Sequence, residues 1–128
     1  MGEKFQILLL DDQQLMVDSL ARCLNASGYK VFKATNEKDA LNCVARENID
    51  LLVLDIELEV GNGFDVYAQA NHLNDSVSLP VIFMTGNMSE RYQVLLEQVD
   101  GAGFLSKPFS PSQMIDLIEQ KLTASHQS

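Results

Sequence analysis

The chain has 128 residues, 46% of them hydrophobic, which fits one domain with one ordinary core. Its formal charge of −9 excludes a surface built to grip a phosphate backbone, since that needs clustered Lys and Arg. No apolar run approaches the ~20 residues that span a bilayer, and two cysteines, Cys23 and Cys43, are too few for a disulfide framework.

Five short apolar runs alternate with stretches of helical spacing. The first, Phe5 to Leu10, is nearly continuous in apolar residues, as a strand covered on both faces should be. A helix follows with Leu15, Met16, Leu20, Cys23 and Leu24 as its apolar stripe. The second run, Lys30 to Ala34, is more polar and suits a place nearer a sheet edge. The next helix has Asn36 as its N-cap, Asp39 in its first turn, and Ala40, Leu41, Val44 and Ala45 on its inner face. The third run, Asp50 to Asp55, is again almost wholly apolar, and Phe64, Tyr67, Ala70 and Leu73 then repeat at helical spacing. Pro80 to Thr85 forms the fourth run, followed by a helix carrying Tyr92, Leu95, Leu96 and Val99. The fifth, Gly103 to Ser106, is short and mixed. The last helix starts at Ser110-Pro111-Ser112-Gln113, with Ser as N-cap, Pro at the first helical position and Gln at the third. Its apolar face is Met114, Ile115, Leu117, Ile118 and Leu122.

Five β–α units in sequence imply an α/β fold: a five-stranded, doubly wound parallel sheet with helices on both faces. The expected organisation is one domain over 1–128, with a core of about 5–122 and a short polar tail at 124–128. The N-terminus enters a strand without a basic stretch and cleavage site, so the expected compartment is the cytoplasm.

Ligands of such sheets collect at the carboxyl ends of the strands. Those ends carry Asp11 and Asp12, Asp55, Thr85 and Lys107. Singly, each has an ordinary explanation as a turn former, a cap or a surface charge. Together, at four strand ends, they have the composition of a phosphoryl-transfer site. Clustered carboxylates repel unless a hard cation such as Mg²⁺ joins them through oxygen. A carboxylate can attack phosphorus and form an aspartyl phosphate, while an ammonium and a hydroxyl stabilise the transferring group.

These residues resemble the receiver domains of two-component response regulators, in particular the single-domain chemotaxis regulators. The resemblance runs from Phe5 to about Leu122. It rests on Asp11-Asp12, Asp55, Thr85 and Lys107-Pro108 with their spacing, on Gly63 eight residues after Asp55, and on the run from Gly101 to Phe109. It implies a flavodoxin-like strand order of 2-1-3-4-5. It also implies a switch in which Asp55 is the phosphoacceptor, Thr85 and Lys107 contact the phosphoryl group, and Phe104 is the aromatic switch residue. Mg²⁺ would be held by Asp11, Asp12, Asp55 and the backbone carbonyl of Glu57, and the peptide before Pro108 would be cis. Glu57 and Asn87 fall at flanking positions that tune the lifetime of the phosphorylated state in that family.

The implied partners are a sensor histidine kinase or phosphotransfer protein upstream, and an output domain or effector downstream. A homodimer is compatible, although Ala102 and Gly103 stand where dimerising winged-helix regulators commonly carry acidic residues. Neither a membrane nor direct nucleic-acid contact by this domain is expected. Self-phosphorylation and self-dephosphorylation would not make it a turnover enzyme. Two departures from the family pattern stand out: Glu59 where a proline is frequent, and Gly86 where alanine is usual. Three other readings compete. A flavodoxin-like cofactor binder would need Gly-rich or hydroxyl-rich loops, but the first loop is Asp-Asp-Gln-Gln. A phosphohydrolase would place its two acids two positions apart, whereas Asp11 and Asp12 are adjacent. A degenerate receiver that only binds partners is disfavoured by the complete residue set.

Overall fold

The computed structural model describes residues 4–73 and 78–125. Ten elements alternate: β1 (Gln6–Leu10), α1 (Gln14–Ala26), β2 (Lys30–Ala34), α2 (Glu37–Arg46), β3 (Leu51–Asp55), α3 (Gly63–Leu73), β4 (Val81–Thr85), α4 (Glu90–Glu97), β5 (Gly103–Ser106) and α5 (Pro111–Ser125). The strands are parallel in the order β2-β1-β3-β4-β5, as anticipated, with the two more polar strands at the edges.

The apolar strands are buried because both sheet faces are covered. Alternate side chains of each strand enter opposite cores. Ile7, Leu9, Val53, Ile82 and Met84 pack with α1 and α5, notably Leu24, Met114 and Ile118. Leu8, Leu10, Leu52, Leu54 and Phe83 pack with α2 and α3, through Ala40, Val66 and Ala70. Phe83 is fully buried and sits against two aromatic rings, Phe64 at a centroid distance of 4.6 Å and Tyr67 at 5.8 Å. Burying one such side chain contributes ~1.5–3 kcal/mol. α4 lacks any fully buried residue, so packing holds it least firmly of the five helices.

The caps read from sequence are in place. Asn36 Oδ1 accepts from the Asp39 N–H at 2.9 Å. Ser110 and Gln113 form a reciprocal pair, with Ser110 Oγ accepting from Gln113 N–H at 3.2 Å and Gln113 Oε1 accepting from Ser110 N–H at 2.8 Å. Several details differ from the sequence reading. Leu15 is 85% exposed, because the first turn of α1 stands beyond the carboxyl edge of the sheet and meets no partner face. Ala45 is exposed on the outer side of α2. α5 continues through Ala124 to Ser125, where a polar tail was expected, and residues 126–128 of that tail lie outside the described residues.

Candidate functional site

Asp55 is the last residue of β3, Thr85 the last of β4, and Lys107 follows the last residue of β5. Parallel pairing brings these three ends to one rim, with Asp55 paired to Met84 and Thr85 to Ser106. The Lys107 N–H donates to the Thr85 carbonyl at 2.9 Å, which extends the β4–β5 pairing past the strand end. The peptide between Lys107 and Pro108 is cis, as the resemblance implied.

Asp11 and Asp12 lie in the turn from β1 into α1. The Asp11 N–H donates to the Ala34 carbonyl at 3.2 Å, and its Oδ1 accepts from the Gln13 N–H at 3.0 Å. That local turn fixes one carboxylate oxygen and aims the other at the rim. Carboxylate oxygens of Asp11, Asp12 and Asp55 all lie within 4.8 Å of one another. Asp11 is fully buried, Asp55 is 5% exposed and Asp12 is half-buried. Lys107 Nζ donates to Asp11 Oδ2 at 2.7 Å and to Asp55 Oδ2 at 3.2 Å.

The loop after Asp55 is folded back on itself. The Gly63 N–H donates to the Ile56 carbonyl at 2.9 Å, and Glu57 forms a bridge with Asn62. Asn62 then caps α3 by accepting from the Asp65 N–H at 3.0 Å. The Glu57 N–H donates to Asp55 Oδ1 at 3.2 Å, so the backbone of Glu57 lies against the Asp55 carboxylate.

Electrostatics follow from this geometry. Burial first, and then the charge of Asp11, raise the Asp55 pKa to about 6, outweighing the pull of Lys107 and the Glu57 N–H. Burial works against the Lys107 ammonium, but its bonds to Asp11 and Asp55 and their charges win, so its pKa is raised. Three carboxylates against one ammonium leave the cluster negative. A small group of oxygen donors with excess negative charge fits a hard divalent cation such as Mg²⁺. The residues to hold it are Asp11, Asp12 and Asp55.

The rim therefore unites Asp11, Asp12, Asp55 and Lys107 as the sequence implied, and it treats Thr85 and Phe104 differently. Thr85 is buried, and its hydroxyl is turned to Glu57, donating to Oε1 at 3.3 Å while accepting from the Asn87 N–H at 3.1 Å. Phe104 is half-buried one layer below the rim, paired in register with Phe83 and packed against that core. Sequence reasoning placed Tyr92 on an apolar helix face and, through the family resemblance, on the signalling surface of α4, β5 and α5. In the structure its ring lies 6.2 Å from that of Phe64, and burial first, then the nearby charge of Glu57, raise its pKa. The signal available in the sequence was the polar tip of a tyrosine at the start of a helix, which requires a partner when it packs inward.

Comparison with known proteins supplies the context. The family profile described as the response regulator receiver domain matches residues 7–119. The chain is 29% identical over 117 residues to the regulatory protein VanR of Enterococcus faecium, covering 91% of this chain and 49% of that protein. It has the same identity over the same length to the response regulator SaeR of Staphylococcus aureus, covering 50% of it. The chain thus spans about half the length of the curated relatives it matches. Among solved structures, a CheY-like receiver domain protein of Methanospirillum hungatei superimposes with a TM-score of 0.87 at 27% identity, covering 95% of this chain and 96% of that one. The receiver domain of the hybrid histidine kinase CckA gives 0.76 at 27% identity, covering 91% and 98%. With the profile spanning most of the chain and the acidic rim assembled, this chain belongs to the response regulator receiver domain family.

Proposed function

We propose that residues 1–128 act as a single phosphorylation-driven switch in which Asp55 accepts a phosphoryl group, with Mg²⁺ held by Asp11, Asp12, Asp55 and the Glu57 backbone carbonyl. The observation that carries this reading is the position of Lys107 Nζ, within hydrogen-bond reach of both Asp11 and Asp55 at the rim of three strand ends. An ammonium in that place neutralises charge on a phosphoryl group attached to Asp55. When bound, Mg²⁺ would supply further neutralisation of phosphoryl oxygens.

The chain's own residues divide the work. An Asp55 oxygen attacks phosphorus, and the bond from phosphorus to the donor's imidazole nitrogen or acyl oxygen breaks. Near neutral pH a carboxyl with a pKa of about 6 is largely ionised, so the nucleophile is available. Lys107 stays with the new phosphoryl oxygens, and Thr85 turns its hydroxyl to one of them. Phe104, next to Thr85 on the same sheet face, follows that movement and changes the surface formed by α4, β5 and α5. The donor is a sensor histidine kinase or phosphotransfer protein in the cytoplasm, and the receiver of the signal is an output domain or effector protein. The acidic domain itself does not touch nucleic acid, and a homodimer is one form the output can take. The domain phosphorylates and dephosphorylates itself without sustained turnover.

The test is intact-mass spectrometry after incubation with acetyl phosphate. One phosphoryl adduct is expected that requires Mg²⁺ and disappears in Asp55→Asn. No adduct, together with an amide NMR spectrum unmoved by beryllofluoride, would refute the switch.

A further inference from the structure

The loop from Glu57 to Asn62 carries the Glu57 carbonyl of the proposed Mg²⁺ set, and its own sequence does little to stiffen it. Leu-Glu-Val-Gly stands between those two residues, with no proline to fix a backbone angle. The base of the loop is closed by the bridge of Glu57 to Asn62, and Leu58 packs into the core. The tip rests on α2 instead. Val60, 82% exposed, faces the start of α2 across a shallow cleft lined by Asn36, Glu37, Lys38 and Leu41. Gly61 turns there with a φ of +88°, and a Cβ added to it would lie 2.7 Å from Glu37 Oε2. The carboxylate thus takes the place that a side chain at residue 61 would need, which only glycine leaves free. The other oxygen, Glu37 Oε1, accepts from Gln69 Nε2 of α3 at 2.8 Å, and the same Nε2 reaches the Asp65 carbonyl at 3.4 Å. Both N–H donors of that amide are spent, so the amide holds the half-buried Glu37 carboxylate in one orientation.

We infer that Glu37 is a positioning residue for the metal site: braced by Gln69, its carboxylate backs Gly61 and holds the tip of the loop after β3, and through it the Glu57 carbonyl. Asn62 follows Gly61 in the chain and is the bridge partner of Glu57, so a displacement at Gly61 is passed across the bridge. A backbone carbonyl binds a cation more tightly when its loop is ordered beforehand, because the ordering entropy is not lost at the moment of binding. Glu37 therefore acts through the loop and not as a ligand. Gln69 acts one step further back, by fixing Glu37. The inference rests on the proposed Mg²⁺-dependent phosphorylation of Asp55 and adds the support, from α2 and α3, that orders one ligand of that cation.

The test uses the full chain and the Mg²⁺ Kd, read from the amide resonances of residues 57–62 during titration with magnesium chloride. Hydrogen exchange of the metal-free protein is followed at the Gly63 N–H, whose bond to the Ile56 carbonyl closes the loop. Gln69 is exposed and Glu37 half-buried on the outside of the helices, so their substitution leaves the core intact. Glu37→Ala and Gln69→Ala are each expected to raise the Mg²⁺ Kd roughly threefold to tenfold, about the worth of one net hydrogen bond. Both should also speed exchange at Gly63. Glu37→Gln loses the charge but keeps the shape and an acceptor oxygen, and should bind Mg²⁺ within about twofold of the wild type. The double variant Glu37→Ala with Gln69→Ala should bind no more weakly than Glu37→Ala alone, because both changes remove the same support. Wild-type Mg²⁺ affinity in Glu37→Ala and Gln69→Ala overturns the brace and leaves the switch standing. Equal weakening in Glu37→Gln and Glu37→Ala, with Gln69→Ala unchanged, overturns it as well, since charge acting at a distance then accounts for the loss. A wild type that binds no Mg²⁺ and forms no Asp55 adduct brings down the switch, and the brace with it.

Discussion

Lys107 and Asp11, 96 positions apart in sequence, meet at 2.7 Å, the shortest bond of the rim, and the same ammonium reaches Asp55 at 3.2 Å. The Asp11 carboxylate is fully buried and the lysine is mostly so. Such a pair sits where a missing partner is costly, because a buried carboxylate left alone keeps its desolvation penalty. Lys107→Ala is therefore expected to destabilise the metal-free protein by about 2 kcal/mol, with Mg²⁺ restoring much of the loss. It should also slow phosphorylation by acetyl phosphate roughly 100-fold, since a preorganised charge at the transferring group is lost. Urea unfolding with and without Mg²⁺, and the rate of adduct formation by mass, check both.

Asp55 gives a pH dependence whose sign is fixed by its environment. Its carboxyl has an ordinary value of 3.8 and is raised to about 6 in the folded chain. Between those two values the folded protein holds more protons than the unfolded one. This group's contribution therefore makes stability fall as pH rises through that window, and it is constant above it. Asp55→Asn removes the effect. Metal-free Asp55→Asn is expected to be more stable than wild type at pH 7 by about 1–2 kcal/mol, a margin that shrinks toward pH 4. Denaturant midpoints across that range measure it, and equal midpoints at both ends would contradict it.

Thr85 separates chemistry from signalling. Its hydroxyl faces Glu57, so attack by Asp55 does not depend on it. Thr85→Ala should still form the adduct, within roughly tenfold of the wild-type rate. The α4 resonances should no longer follow beryllofluoride as they do in the wild type. Thr85→Ser keeps the hydroxyl and should preserve the response. Adduct formation by mass, alongside NMR of both variants, tests the separation.

The sequence shows some parts of this arrangement and hides others for physical reasons. Strand ends of a parallel sheet converge by topology, so Asp11, Asp12, Asp55 and Lys107 could be assembled from their positions alone. Strand limits were each read one residue early at Phe5, Asp50 and Pro80, because apolar or flanking residues there still take part in the ladder. The Asp50 N–H donates to the Gln6 carbonyl at 2.8 Å, and the Pro80 carbonyl accepts from the Leu52 N–H at 3.0 Å. Helical spacing puts Leu15 on the apolar stripe, yet periodicity carries no information about where the facing surface stops. The Glu57 contacts were hidden for a different reason. They join a loop to the end of a strand 28 residues further on, and no local pattern encodes such a meeting.

Gly63 is the position where the loop after Asp55 admits no side chain. A Cβ built there would clash with the Asp55 carbonyl oxygen and lie 3.2 Å from the Ile56 Cα, both backbone atoms that cannot swing aside. The same residue donates its N–H to the Ile56 carbonyl at 2.9 Å, so the close approach is what closes the loop. Gly63→Ala must push α3 away from the end of β3 or move the backbone of Asp55 itself. Either movement opens the buried contact of Gly63 and Val66 with the sheet. A loss of about 2–4 kcal/mol is expected, in the range of strained core substitutions. Because Asp55 shares the displaced backbone, Mg²⁺ binding should weaken as well. Gly86→Ala is the matched control: its Cβ would meet only the Lys107 side chain at an ordinary 3.6 Å, so stability should stay within ~0.5 kcal/mol or rise slightly. Thermal unfolding of the two variants with and without Mg²⁺ decides the matter. If Gly63→Ala unfolds with the control, the corner yields at little cost, and the glycine is not what sets the position of Asp55.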